Sequence, residues 1–203
     1  LGDNYGTILI GRDFGQIDDM ARWDGGRILT DPLGAAAYWV SAYRQAMGLV
    51  PGVYWESANE MSNFSWMPQY GLFEAERVRL MHEEGFLACI GNFSGGNPPI
   101  RPDTNDPWEH FYPALEAADK YGAVLGLHEY GGLHMDMFYG PNQRDSMLAG
   151  NHALMPQTYA EGWLFGRYRK VWNTHILPNG WTRIRIVLTE LGLDRAATDV
   201  TDA

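Results

Sequence analysis

Apolar and polar positions along this chain follow two periods that take turns. Short apolar runs with strand character fall at 7–14 (TILIGRDF), 52–57 (GVYWES), 86–94 (FLACIGNFS), 123–130 (AVLGLHEY) and 183–192 (RIRIVLTELG). Segments of helical spacing separate them. Over 31–48, Ala36, Trp39, Tyr43 and Met47 share one face, and Gly48 marks a stop. A second helix over 70–85 ends at Gly85. The run DPWEHFYPALEAADKYG carries a start signal: Asp106 as N-cap, Pro107 at the first helical position and Glu109 closing a capping box. Its apolar stripe is Trp108, Phe111, Leu115 and Ala118. A longer polar segment, 131–157, precedes a last helix, YAEGWLFGRYRKVWNTHI. Alternating strands and helices predict parallel βαβ units. Strands apolar on both faces fit a sheet covered by helices. No linker divides the chain, so one domain over 1–203 is expected, with 94–107 (SGGNPPIRPDTNDP) as a long loop after a strand.

The polar residues of each strand collect at its C-terminal end. These are Arg12 and Asp13; Glu56, Asn59 and Glu60; Asn92 and Ser94; His128, Glu129 and Tyr130; and Thr189 and Glu190. Any one of them reads as a solvated loop residue, but five strands aiming polar groups at one rim point to a ligand site, which parallel α/β folds build there. In the last strand Ile184, Ile186, Leu188 and Glu190 alternate with Arg185, Val187 and Thr189. Strict alternation puts Glu190 above an apolar interior, facing the mouth. Arg12 is its expected partner and holds it ionised. Two carboxylates from separate strands suit glycoside cleavage: one protonates the departing oxygen, the other attacks the anomeric carbon or activates water. Glu60 is the expected proton donor, Asn59 a ligand of the sugar 2-hydroxyl, and Glu56 a supporting group.

Composition narrows the partners. A formal net charge of -10 argues against nucleic acid, and the basic run GRYRK (166–170) reads as a helix face. No apolar run is long enough to span a membrane, and no signal peptide is evident. The single cysteine, Cys89, excludes an intramolecular disulfide and reads as a small buried residue. Eight tryptophans and eleven tyrosines serve mainly the core, with some free to stack on sugar faces. The first rival is a metal-dependent hydrolase using His128, His134, Asp136 and His152, although HEYGGLHMD lacks H-E-x-x-H spacing. The second is a non-catalytic carbohydrate-binding or structural barrel. Serine-hydrolase, P-loop and dinucleotide motifs are absent.

SANEM and LTELG, with HEY between them, resemble the clan A glycoside hydrolases. GRDF, YWESANE, NFSGGNP, LGLHEYGG and LTELGLD are similar to bacterial hydrolase-like domains of that clan, across most of 7–194. The MSN after Glu60 departs from the Pro that many members carry. The resemblance implies an α/β fold, a (β/α)8 TIM barrel represented in part, with 7–14 as third strand, 53–57 fourth, 86–93 fifth, 123–129 sixth and 184–190 seventh. It implies truncation at both ends, with a further segment or subunit completing the barrel, or else a degenerate domain. Glu60 becomes the acid/base and Glu190 the nucleophile of a retaining glycosidase. His128 or Tyr130 orients the nucleophile or contacts the sugar, and Trp55, Trp66, Trp108 and Trp163 are candidates for subsite walls, with core packing the default for each. No cofactor and no metal are implied. The expected partner is an oligo- or polysaccharide, and the expected location extracellular or periplasmic.

Overall fold

Local signals set the helix ends. Asp31 accepts from Gly34 N at 3.0 Å, and Pro32 opens the helix beyond a single turn α1 (Arg27–Thr30). That helix, α2 (Pro32–Leu49), buries Ala35, Ala36, Trp39, Val40 and Met47. Asn63 caps a 3₁₀ turn (Phe64–Trp66) that leads into α3 (Met67–Glu83), and Gly85 closes it in the left-handed region at φ 80°. Asp106 accepts from Trp108 N at 3.0 Å, but the turn it starts, Pro107–Phe111, is 3₁₀, and α4 begins at Tyr112 (Tyr112–Tyr121). The last helix, α5 (Arg167–Val171), runs on into a π turn (Trp172–Ile176). These elements come from a computed structural model that describes residues 7–12, 26–61, 63–100, 105–131 and 166–193. No helix among the described residues is long and apolar enough to cross a membrane.

The five strands are β1 (Leu9–Gly11), β2 (Val53–Trp55), β3 (Leu87–Phe93), β4 (Val124–Gly131) and β5 (Arg185–Leu193). All pair in parallel, in sequence order. Among the described residues the expected (β/α)8 barrel is not formed: the sheet is a curled, open half-barrel of five strands, with β1 and β5 as its edges. A closed eight-strand barrel needs first and last strands hydrogen-bonded to each other. The hydrophobic period that reveals a covered parallel strand is the same in an open sheet and a closed one, so the pattern alone does not specify closure.

Two register shifts shape the concave face. In β3, Gly91 pairs with Gly126 and Phe93 with Leu127, which leaves Asn92 as an extra residue. Between β4 and β5, Leu127 pairs with Leu188 but His128 with Glu190, which leaves Thr189 unmatched. The alternation expected for β5 is therefore corrected. Arg185 reaches across the concavity to Tyr54 of β2, and Thr189 reaches Asn92. Ile186 and Leu188 pack with the helix-side core. Without the bulge Glu190 would join them; the extra residue turns it inward (a one-residue slip exchanges faces).

The core lies between the sheet's convex face and the helices. Tyr70, Phe93, Trp108 and Phe111 interlock there, with Phe93 5.2 Å from Trp108 and 5.0 Å from Phe111. Arg77 of α3 is fully buried, its guanidinium over the Trp39 ring at 4.8 Å. It donates to Glu74 (2.8 Å) and to the strand carbonyls of Trp55 (3.1 Å) and Cys89 (2.8 Å), pinning β2 and β3 together just below the rim. Glu74 also accepts from Ser57 and from Tyr70 at 3.0 Å, so the buried carboxylate is satisfied. Helix α3 and the 3₁₀ turn before α4 meet so closely that a Cβ on Gly71 would sit 2.4 Å from the His110 carbonyl oxygen. Gly71→Ala is expected to lower stability by about 1–3 kcal/mol, read as a drop in urea midpoint at unchanged m-value.

Candidate active site

The C-terminal ends of β1, β2, β4 and β5 deliver one connected set of side chains. Arg12, one residue past β1, is the hub. Its Nε donates to Glu56 and its Nη1 to Glu190, while Nη2 lies 3.2 Å from His128 Nε2. Glu56, one residue past β2, is held there by its backbone N–H on Gly11 O at 2.9 Å. His128 Nδ1 lies 2.9 Å from Glu60 Oε1 and 3.6 Å from Glu190 Oε2. Tyr130 donates to the second oxygen of Glu190. One ligating atom each of Glu60, His128 and Glu190 fall within 4.8 Å of one another, so the two carboxylates, 130 positions apart in sequence, face each other across one mouth.

The partners fix the protonation pattern. A guanidinium offers only donors, so His128 Nε2 accepts and its proton sits on Nδ1, directed at Glu60. Partial burial raises the Glu190 carboxyl, but hydrogen bonds from Tyr130 and Arg12 outweigh it and hold the group below the usual carboxylate range. Tyr130 moves the other way, up to about 12, chiefly because its hydroxyl donates to Glu190 and then because of burial. Burial works against the Arg12 cation, but its bonds to Glu56 and Glu190 raise it further still. Glu60 is the more exposed acid, its side chain 43% accessible against 26% for Glu190.

The Glu190 shift has a stability consequence. A carboxylate whose folded value is depressed adds stability above its unfolded value, about 4.3, and loses it as the pH falls through the folded one. Urea denaturation from pH 6 to 3 is expected to show a steeper acid loss for the native chain than for Glu190→Gln. Parallel curves would contradict the ion pair.

The structure scatters the remaining sequence candidates. Asn59 is half-buried beside Glu60. Trp55 packs into the helix-side core, and Gly11 exists because a Cβ there would meet the Trp55 ring at 2.9 Å. Trp66 is half-buried against the same core. Trp108 is fully buried, its indole N–H on Pro98 O at 3.1 Å and its ring stacked on His175. None of these three joins the Arg12 cluster, so Trp55 and Trp108 in particular are packing residues rather than subsite walls. Trp163, Asp13, His134, Asp136 and His152 lie outside the described residues. Glu129 turns away from the mouth and accepts from Gly166 N (2.7 Å) and Tyr168 N (2.8 Å), opening α5.

The Glu60–His128–Glu190 triad has metal-ligand chemistry, with one donor atom of each within 4.8 Å of the others. Arg12 already places a cation against Glu190. Comparison with protein-family models, curated proteins and solved structures gives no match.

Proposed function

We propose that this chain is a retaining glycoside hydrolase, with Glu190 as nucleophile and Glu60 as acid/base. The observation that carries the reading is the carboxylate spacing. One oxygen of each carboxylate lies within 4.8 Å of the other, and a close pair is the arrangement of retaining enzymes, whereas inverting ones hold their carboxyl groups wider apart to admit a water. In the first step Glu190 Oε attacks the anomeric carbon as the bond to the leaving oxygen breaks, and Glu60 gives that oxygen its proton. In the second, Glu60 takes a proton from water, whose oxygen displaces Glu190 from the anomeric carbon, returning the starting configuration.

The neighbours suit these roles. Arg12 and Tyr130 keep Glu190 ionised for attack. While Glu190 is esterified, Glu56 alone balances Arg12, so the half-buried cation is never unpaired. Greater exposure suits Glu60, which must exchange protons with leaving group and water. Among the described residues three carboxylates stand against one guanidinium at the mouth, which favours neutral sugars over uronides.

The test is a panel of 4-nitrophenyl glycosides with the first-formed anomer read by NMR. Turnover with retention on a neutral sugar, and a uronide slower by about tenfold or more, is expected. An inverted first product overturns the mechanism. Glycan binding without turnover favours a binding module.

A further inference from the structure

The acid and the nucleophile stand on opposite sides of the mouth, and something must set their separation. Glu60 follows β2 in a left-handed backbone, φ 50°, and its N–H donates to the Asn92 carbonyl at 3.0 Å. Asn92 is itself left-handed, φ 46°, as the extra residue of the β3 bulge. These are the only non-glycine residues with positive φ among the described residues, and they are bonded to each other. Such conformations persist where the surroundings hold them, and they concentrate at functional sites. The Asn92 side chain points the other way along the network. Its Oδ1 lies 3.4 Å from Thr189 Oγ1, the unmatched residue next to Glu190, and 3.4 Å from Cys89 Sγ. Gly126 of β4 makes room for it: a Cβ there would lie 2.0 Å from Oδ1. Asn92 is fully buried, so it touches no substrate.

We propose that Asn92 is a positioning residue that fixes the distance between the two carboxylates, its main chain holding the Glu60 backbone and its side chain holding the bulge that presents Glu190. The claim rests on the hydrolase reading for its catalytic meaning but not for its geometry. Asparagine is the side chain that does both jobs: it tolerates the left-handed region better than most residues and carries an amide into the β4–β5 seam. Asn92→Gly keeps the backbone conformation and loses the side-chain tie, Asn92→Ala loses both, and Thr189→Val removes only the hydroxyl.

The experiment pairs kinetics with crystal structures of these three variants, after circular dichroism shows which are folded. In Asn92→Ala, kcat is expected to fall about 100-fold with KM within about threefold, the signature of a misplaced catalytic group. The Glu60–Glu190 separation should widen by about 1 Å. Asn92→Gly and Thr189→Val should lie between Asn92→Ala and the native chain in both readouts. A folded Asn92→Ala or, if that variant fails to fold, a folded Asn92→Gly with native separation overturns the proposal, as does a loss carried by KM alone. If the native chain hydrolyses no glycoside, the hydrolase reading fails, and the separation alone decides whether Asn92 sets the geometry.

Discussion

Glu190→Gln is expected to remove turnover, by about 10⁵-fold or more in kcat on every glycoside tested. The amide is isosteric with the carboxylate, and Glu56 still anchors Arg12, so the fold should persist and glycan binding should survive. Glu60→Gln is expected to behave differently. On a substrate with a poor leaving group it should lose about 10²–10⁴-fold, the range assigned to positioned proton transfer. On a 2,4-dinitrophenyl glycoside, whose leaving group departs without a proton, the first step should stay near the native rate, and a burst of dinitrophenolate should precede slow hydrolysis of the ester. That asymmetry separates nucleophile from acid more sharply than either loss alone. Equal losses for both variants across leaving groups would sink the assignment, and so would a Glu190→Gln enzyme with native kcat.

The sequence disclosed the parallel strands, their order and the rim, because covered strands and amphipathic crossovers have distinct periods. It also disclosed Arg12 as the partner of Glu190, since a carboxylate at the end of an inward strand calls for a cation. What it hid were the bulges. Strict alternation grouped Glu190 with Ile186 and Leu188, yet those two face the helices and Glu190 faces the mouth, because Thr189 is an inserted residue. Nothing in LTELG marks that insertion. The Gly91–Asn92 pair in β3 did carry a signal, as two residues tolerant of positive φ inside a strand, but its consequence for Glu60 is a long-range hydrogen bond. For Trp55 and Trp108 the two readings left open, core packing and a subsite wall, resolve to packing for a simple reason. An aromatic near a strand end suits either a sugar platform or a core, and Trp108 lies fully buried on the helix side. Closure of the sheet was not legible either, because periodicity reports which faces are covered and not how many strands complete the ring.

Arg12→Met is expected to damage stability and catalysis together, through separable causes. The guanidinium is the shared partner of Glu56, whose side chain is 2% exposed, and of Glu190. Removing it leaves a carboxylate buried without a counter-charge, which costs about 3 kcal/mol, the low end of the range for a broken buried pair because Arg12 retains some water. For a chain of this size the melting temperature should fall by about 6–12 °C. Catalysis should suffer because Glu190 loses both its orientation and the charge that keeps it ionised. A kcat loss of about 100-fold is expected, with the acid limb of the pH profile moving up as Glu190 loses the bond from Arg12 that lowers it. Adding Glu56→Gln to Arg12→Met removes the unpaired buried charge, so the double variant should regain most of the melting temperature while activity stays lost. Recovery of both in the double variant would make Arg12 a structural group only, and a native melting temperature in Arg12→Met would show that the cation does not bridge the two carboxylates at all.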